Sequence, residues 1–267
     1  MDVTVPGHGA AYAYTGGKPF DASLPCVVFI HGALNDHSVW TLLARWCAHH
    51  GHGVLAVDLP GHGRSPGAPL ASVEALADWL LALLDAAGVR RAALVGHSMG
   101  SLIAVEAAGR APDRATRLVM MATAFPMKVS EALLTTARDT PLKAIDMVNA
   151  FSLSTTAAKP SCPGPGTWLH GSGRALMRRV QAGQRDSNLF HHDFSVCNRY
   201  AGGLATAAKV ACPVALLLGA RDQMTLPAQA REIAQALKAR ATTLNTGHQL
   251  MAEAPDAALA ALRRALG

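Results

Sequence analysis

The segment Val95–Gly100 carries a serine between two glycines, at the junction of a predicted strand and a predicted helix. An apolar run precedes the segment, and an alanine-rich stretch follows it. In such a Gly-x-Ser-x-Gly turn the glycines avoid side chains where strand and helix nearly touch, so the Ser98 hydroxyl is exposed as a nucleophile. Five residues alone are equally typical of an ordinary glycine-rich turn. The rest of the chain must therefore decide between the two interpretations.

A serine hydroxyl is a weak nucleophile at neutral pH, and it needs a base together with a carboxylate that orients the base. Ligands of a parallel sheet bind at the carboxyl ends of its strands, so both partners should follow later strands. Asp222 follows a predicted strand at 214–219, and His248 follows one at 241–244. The order Ser, Asp, His is the order expected for such a site. We therefore predict Ser98, Asp222 and His248 as a catalytic triad.

Other acidic and imidazole side chains are weaker candidates for the acid and the base. Asp58 and Asp193 are the alternatives for the acid. His31, His62 and His97 are the alternatives for the base, although their positions suit hydrogen bonds that brace loops. These alternatives stay open at the level of the sequence.

A serine that attacks a carbonyl also needs N–H donors for the negatively charged oxygen of the tetrahedral intermediate. The backbone N–H of Met99, directly after the serine, is the first predicted donor. The second is expected in the loop after the early buried strand, where Gly32 lets the backbone approach closely. We predict the N–H of Ala33 as this donor, with that of Leu34 as the alternative.

The elements that position these residues follow from the hydrophobic pattern. Continuous apolar runs are typical of strands buried on both faces of a parallel sheet, and they occupy residues 26–30, 54–57, 92–95, 118–121 and 214–219. Residues 3–14 alternate around Pro6-Gly7-His8-Gly9 and predict a hairpin at the sheet edge. Helical segments between the runs predict an α/β fold, with helices on both faces of a mostly parallel sheet.

The alternation of strands and helices stops between Phe125 and Ala208. Helical segments are predicted there at 131–138, 142–151, 174–184 and 189–200, with a Pro/Gly-rich loop at 159–166. An all-helical insertion between two strands of a parallel sheet predicts a lid over the strand ends. We therefore divide the chain into a core of residues 1–124 and 209–267 and a helical cap of residues 125–208.

Composition limits the class of protein. The chain has 267 residues, of which 50% are hydrophobic, enough for one large core. No apolar stretch reaches the roughly 18 residues of a membrane span, and the first residues lack the pattern of a secretory signal, so a cytoplasmic protein is expected. The 5 cysteines form no Cys-x-x-Cys pair, which disfavours a zinc site. The net charge of +6 comes without interleaved aromatic residues, so we expect no nucleic-acid partner.

Taken together, the motifs resemble those of the α/β-hydrolase superfamily over nearly the whole chain. Gly96–Gly100 is similar to that family's nucleophile turn, and Asp58–Ser65 resembles one of its strand-end loops. Gly219–Asp222 and Gly247-His248 resemble its acid and base turns. The resemblance implies that residues 125–208 form the cap, which is the most variable part of this family.

The resemblance also bears on cofactors and partners. A serine nucleophile differs from the aspartate with which the haloalkane dehalogenases and epoxide hydrolases of this superfamily attack. No glycine-rich dinucleotide fingerprint follows the first buried strand, so no nicotinamide cofactor is implied, and the mechanism requires no metal. The expected partner is a small-molecule substrate. The sequence leaves monomer and homodimer open.

Apolar side chains near the predicted triad and in the predicted cap are candidates for the substrate pocket, although each is equally typical of the core. The cap contains no obvious arrangement of arginines for an anionic substrate, so we expect a neutral, largely apolar ester. The residues predicted to line the pocket are Leu34, Phe125, Phe151, Trp168, Phe190, Met224 and Met251.

Hydrolysis of a small carboxylic ester through an acyl-enzyme is the leading interpretation, and two others remain open. One is hydrolysis of a carbon–carbon bond in a dienol or diketone product of ring cleavage, in which Arg185 or Arg199 would bind the acid of the substrate. The other is a non-catalytic ligand receptor that has kept the fold. An intact triad disfavours the receptor.

Overall fold

The computed structural model describes residues 1–154, 168–184 and 187–267. The strands in these ranges are β1 (Asp2–Val5), β2 (Gly9–Tyr14), β3 (Cys26–Ile30), β4 (Gly53–Val57), β5 (Ala92–His97), β6 (Ala115–Met121), β7 (Val214–Gly219) and β8 (Arg240–Leu244). They form one sheet in the order β1-β2-β4-β3-β5-β6-β7-β8. The hairpin β1–β2 and the pair β2–β4 are antiparallel, and the remaining pairs are parallel. The predicted fold class is confirmed.

The α-helices of the same ranges are α1 (Thr41–His49), α2 (Val73–Ala86), α3 (Met99–Arg110), α4 (Glu131–Asp139), α5 (Pro141–Ser152), α6 (Leu169–Gly183), α7 (Leu189–Arg199), α8 (Gly203–Ala207), α9 (Arg231–Ala236), α10 (Leu250–Glu253) and α11 (Pro255–Leu266). Asp36 and Ser72 cap the first turns of the helical segments that follow them, since the side chain of each accepts a backbone N–H of that turn. None of the helices in the described ranges is long and apolar enough to cross a membrane.

Two apolar clusters cover the two faces of the sheet. On one face Val28 and Leu94 pack with side chains of α2 and α3. On the other face Val27 and Val95 pack with side chains of α1 and α11. Successive side chains of a strand point to opposite faces of the sheet. Because both faces are covered, the odd-numbered and the even-numbered side chains of β3 and β5 must all be apolar. This arrangement explains why the inner strands read as continuous apolar runs.

The helices α4 to α8 lie between β6 and β7, within the segment 125–208 that was predicted as a cap. Helices α4 to α7 share an apolar cluster that includes Ile145, Met177 and Phe190, whereas Ala207 of α8 packs in the cluster on the α2–α3 face of the sheet. Helix α6 begins at Leu169, earlier than predicted, and the short helix α8 was not predicted. The predicted Pro/Gly-rich loop at 159–166 lies outside the described residues.

In the turn between β5 and α3, which carries Ser98, the backbones of the sheet and the helix approach each other closely. A Cβ atom on Gly96 would overlap the carbonyl group of Gly100, and one on Gly100 would overlap the carbonyl oxygens of Ile30 and His31. These obstacles are backbone atoms, which cannot rotate away as a side chain can. Glycine at both positions therefore allows α3 to begin directly against the end of β3.

We expect Gly100→Ala to lower the free energy of unfolding by about 1–3 kcal/mol or more, because overpacking against backbone forces the turn apart. Urea denaturation monitored by circular dichroism measures this loss. The matched control is Gly183→Ala at the end of α6, where an added Cβ would meet nothing within 4 Å. We expect the control to stay within about 1 kcal/mol of wild type. Equal stability of the two variants would contradict this account of the turn.

Candidate active site

Ser98 occupies the β5–α3 turn in a strained conformation. It is half-buried, with φ 53° and ψ −121°, and a non-glycine residue keeps a positive φ only where its surroundings impose it. Its N–H donates to the carbonyl of Met121 at 2.9 Å, and its carbonyl accepts the N–H of Ser101 at 2.8 Å. These bonds fix the serine at the N-terminus of α3, where the helix dipole favours a developing negative charge.

Asp222 and His248 lie directly after β7 and β8 and are joined by a hydrogen bond. The Nδ1–H of His248 donates to Oδ2 of Asp222 at 2.9 Å, and both residues are buried. The carboxylate also accepts the N–H of Met224 at 2.8 Å and both the N–H and the hydroxyl of Thr225, at 2.9 and 2.7 Å. Because Nδ1 holds the proton in this pair, Nε2 of His248 is left as the basic atom.

The environment of Asp222 keeps it ionised. Burial acts to raise the pKa of the Asp222 carboxyl group, because a charge is poorly solvated in the interior. The imidazole of His248 and the donors of Thr225 outweigh this effect, so the pKa lies below its ordinary value. An ionised carboxylate at this position holds the ring of His248 in one tautomer and one orientation.

Ser98 and His248 line the same cavity, of about 290 Å³. Among the hydrogen bonds of the described residues, none joins the Ser98 hydroxyl to the imidazole of His248. The backbone of His248 is nevertheless held on two sides: its carbonyl accepts Nε2–H of His97 at 2.9 Å, and its N–H donates to the carbonyl of Ser152 at 2.8 Å. Serine–base contacts in ligand-free enzymes are commonly longer than in the complex with substrate.

The loop after β3 distinguishes the two candidates for the second oxyanion donor. The N–H of Leu34 donates to Oδ2 of Asp193 at 2.8 Å, so it is already used. Ala33 lines the cavity beside Ser98, and no acceptor for its N–H is found in the described part of the chain. The N–H of Met99, the first residue of α3, has no carbonyl one turn earlier in its helix. The geometry therefore favours Ala33 and Met99 over Leu34.

His31 fixes the direction of the Ala33 N–H. Its Nδ1–H donates to the carbonyl of Gly32 at 2.8 Å, while its Nε2 accepts the N–H of Leu59 at 3.1 Å. Burial, above all, lowers the pKa of His31 to about 4, so the ring is neutral and can do both. The Gly32 carbonyl and the Ala33 N–H belong to one planar peptide and point in opposite directions. Holding the carbonyl thus aims the N–H.

The remaining alternatives for base and acid have other partners. His97 bonds the backbone of His248, and burial, above all, lowers its pKa to about 3, so it stays neutral. His62 bonds Asp193 at 2.8 Å. Asp58 accepts the N–H groups of His37 and Arg64, at 2.6 and 2.8 Å. His31, His62 and His97 therefore brace loops, the arrangement that their positions in the sequence suit.

Of the residues predicted to line the substrate pocket, Phe151 and Met224 line the cavity. The other five lie elsewhere: Leu34 and Phe190 are fully buried in the cluster of the inserted helices, Phe125 and Met251 are buried in the clusters on the sheet, and Trp168 is 56% exposed on the surface. A large apolar side chain near a site packs into the core as readily as into a pocket, and sequence alone does not separate these fates.

Several lining residues were missed by the analysis of the sequence. They come mainly from the segment after β6 and from the inserted helices, and they include Met127, Leu133, Met147, Val148, Met177 and Phe194. Helical spacing identifies the apolar face of a helix, but it does not tell whether that face meets a cavity or another helix. Gln223 and Gln249 also line the cavity, and their positions next to Asp222 and His248 were a usable signal.

Asp36, His37 and Asp58 bring three potential metal-ligand atoms within 4.8 Å of one another. The oxygens of both carboxylates already accept hydrogen bonds. Asp36 accepts from Ser38 and Arg179, and Asp58 accepts from His37 and from the N–H of Arg64. These donors occupy lone pairs that a cation would need, so we interpret the three side chains as groups that hold the neighbouring loops together by hydrogen bonds.

Comparison with known proteins agrees with this geometry. Residues 25–158 match the family described as the alpha/beta hydrolase fold. The chain belongs to this family. The family predicted from the motifs is thereby confirmed.

Several relatives carry the names of esterases and lipases. A pimeloyl-[acyl-carrier protein] methyl ester esterase of Chromobacterium violaceum is 30% identical to this chain, and the alignment covers 78% of this chain and 78% of that protein. An sn-1-specific diacylglycerol lipase of Mus musculus is 41% identical over 102 residues, which is 38% of this chain. The chain spans only 33% of the length of that lipase.

Among solved structures, the enol-lactonase from Burkholderia xenovorans superposes with a TM-score of 0.81 at 24% sequence identity. The superposition covers 100% of this chain and 99% of the lactonase. A likeness at this level of identity shows the shared fold. It does not transfer the substrate of one protein to the other.

The lowered pKa of Asp222 predicts a pH-dependent contribution to stability. A depressed carboxyl pKa stabilises the folded protein fully above the unfolded value of about 3.9, and this contribution is lost as the pH falls through the folded value. We therefore expect the stability difference between wild type and Asp222→Asn to shrink below about pH 4. Urea denaturation of both proteins between about pH 3 and 7 measures it. If the difference in unfolding free energy between the two proteins does not change with pH, Asp222 is not an ionised carboxylate with a lowered pKa.

Proposed function

We propose that this protein is a serine hydrolase that cleaves a small, largely apolar carboxylic ester through an acyl-enzyme. The observation that carries the proposal is the buried Asp222–His248 pair, which opens onto the same cavity as the strained Ser98. Such a pair beside a serine that lines the same cavity at a helix N-terminus is the arrangement needed to activate a hydroxyl. The names of the esterases and lipases among the relatives support the same reaction class.

In the proposed mechanism, Oγ of Ser98 attacks the ester carbonyl while Nε2 of His248 takes the hydroxyl proton. Asp222 stabilises the resulting imidazolium, and the N–H groups of Ala33 and Met99 bind the oxyanion. The tetrahedral intermediate collapses to the acyl-enzyme, and His248 gives its proton to the departing alkoxide. Water then attacks the acyl group by the same steps, which releases the carboxylic acid and restores Ser98.

The lining of the cavity supports a neutral substrate. About half of the side chains around it are apolar, with thioethers from both the core and the inserted helices and phenyl rings from the inserted helices. Lys128 is the only Lys, Arg, Asp or Glu among its described lining residues, and its ammonium group donates to the carbonyl of Asn198 at 3.1 Å. We propose that α4 to α8 act as the cap over the strand ends, because residues such as Val148 and Met177 form part of the cavity wall.

No observation favours the other two interpretations. For cleavage of a carbon–carbon bond, Arg199 was a candidate to bind the acid of the substrate, but it does not line the cavity, and it donates to the carbonyl of Ala71 at 3.0 Å. Arg185 lies outside the described residues. A receptor would not need the ionised Asp222 behind His248. A cytoplasmic location remains part of the proposal, and the four described cysteines carry free thiols, as in a reducing compartment.

We expect Ser98→Ala to abolish turnover of short 4-nitrophenyl esters and labelling by a fluorophosphonate probe, because both reactions form a bond to Oγ of Ser98. Triad removal commonly lowers kcat by about a million-fold. Circular dichroism verifies that the variant is folded. Undiminished turnover in the folded variant would overturn the mechanism. An unlabelled wild-type protein would favour the receptor, and turnover of diketones without turnover of esters would favour carbon–carbon hydrolysis.

The size of the cavity predicts a preference for short acyl groups. We expect Val148→Phe, which narrows the wall of the cavity, to lower kcat/KM for 4-nitrophenyl octanoate about tenfold more than for the acetate. The matched control is Leu142→Phe on the same helix α5, at a side chain that is 52% exposed and does not line the cavity. A Val148→Phe enzyme with the chain-length profile of the control would contradict the assignment of this wall.

A further inference from the structure

Asp193 of α7 places a buried carboxylate against the loop that carries the proposed oxyanion donor. Its Oδ2 accepts the backbone N–H of Leu34 at 2.8 Å and the Nε2–H of His62 at 2.8 Å. Its Oδ1 accepts the Nδ1–H of His192 at 3.1 Å. Asp193 is 1% exposed. A charge buried so deeply is costly unless hydrogen bonds compensate it, and here three donors do so.

His62 and Asp193, which are hydrogen-bonded to each other, favour opposite charges. Burial acts to lower the pKa of His62, but the charge and the hydrogen bond of Asp193 outweigh burial and raise that pKa above its ordinary value. Burial acts to raise the pKa of Asp193, but His62, His192 and the N–H of Leu34 outweigh it and hold that pKa well below its ordinary value. An ionised Asp193 is therefore a strong acceptor for the N–H of Leu34.

The N–H of Leu34 needs such an acceptor because the residue is fully buried, and the backbone there is also strained. Its φ of 53° lies in the left-handed region, which is unfavourable for a residue with a branched side chain. Its N–H belongs to the same peptide as the carbonyl of Ala33, which accepts Nδ2–H of Asn35 at 3.1 Å. Asp193 and Asn35 thus hold the two ends of this peptide. His31 holds the preceding one through the Gly32 carbonyl.

We propose that Asp193 is a positioning residue for the reaction, which acts by fixing the Ala33–Leu34 peptide so that the Ala33 N–H faces the oxyanion. The proposal rests on the proposed function. Without the carboxylate, the Leu34 N–H is buried without a partner, and the peptide rotates toward another acceptor. The Ala33–Leu34 peptide shares the Cα of Ala33 with the peptide that carries the Ala33 N–H, so its rotation displaces that N–H as well. An oxyanion donor must lie about 2.7–3.1 Å from the oxygen, so a small displacement removes most of its effect. The inserted helices thereby complete a site whose reacting groups all belong to the core.

The test compares ground-state and transition-state binding in Asp193→Asn and Asp193→Ala. We expect kcat for a short 4-nitrophenyl ester to fall about tenfold in the first variant and about a hundredfold in the second, with KM within about twofold, because oxyanion binding acts only in the transition state. Phenylboronic acid is the probe of the tetrahedral state: its boron accepts an electron pair from Oγ of Ser98 while His248 takes the proton. Its affinity should fall by the same factors, whereas the affinity for the product carboxylic acid should stay within about twofold.

The matched control is Gln184→Ala. The Gln184 amide joins the insertion to the core through the carbonyls of Gly61 and Gly67, at 3.0 and 2.8 Å, and does not touch the loop. It should lower the thermal midpoint while kcat and boronate affinity stay within about twofold of wild type. A purely structural Asp193 would behave like this control, so folded Asp193 variants with wild-type kcat and boronate affinity overturn the proposal. If Asp193→Ala does not fold, the near-isosteric Asp193→Asn decides alone.

Ser98→Ala separates this proposal from the proposed function. If Ser98→Ala keeps wild-type turnover, the serine mechanism is wrong, and the role of Asp193 in it is wrong as well. If Ser98→Ala loses turnover while both Asp193 variants keep it, only the role of Asp193 is overturned. Loss of boronate affinity and kcat in the Asp193 variants, with Ser98→Ala inactive, supports both proposals.

Discussion

The close approach of α3 to the end of β3 is the constraint on which the site depends. Only glycine at 96 and 100 lets backbone meet backbone there, and the serine between them is held at a positive φ as a consequence. The same contact brings the loop at 31–34 beside the serine. A nucleophile, a helix N-terminus and a set of backbone N–H groups thus converge because one strand and one helix are packed without side chains between them.

Buried polar groups, rather than apolar packing, hold the loops around this contact. His31 and His97 remain neutral because burial lowers their pKa, and each donates to a backbone carbonyl. Asp222 and Asp193 remain ionised because several donors converge on each. A buried hydrogen bond is directional, so it fixes the orientation of a peptide or a ring where an apolar contact fixes only a distance.

The sequence predicted the features that depend on local patterns, such as the positions of the triad residues after the strands. Ser98 and Asp222 each follow an apolar run, and His248 follows the short strand predicted at 241–244. The structure places each at the carboxyl end of a strand because parallel strands end at one edge. The residues that line the cavity were harder to predict from the sequence. Met224 and Met251 both lie near the triad in sequence, yet Met224 lines the cavity and Met251 packs beneath the sheet. Which way a turn residue faces depends on long-range contacts such as that of Asp193 with Leu34, which no spacing rule encodes.

The hydrogen bond from the N–H of His248 to the carbonyl of Ser152 limits how the inserted helices of this chain can be exchanged. The insertion is tethered to the turn that carries the imidazole and, through Asp193, to the loop at 31–34. Replacing the insertion with one from another protein would therefore remove two hydrogen bonds: that of His248 with Ser152 and that of Leu34 with Asp193. A replacement insertion therefore has to supply an acceptor for each of these two N–H groups, whatever side chains it presents to the cavity.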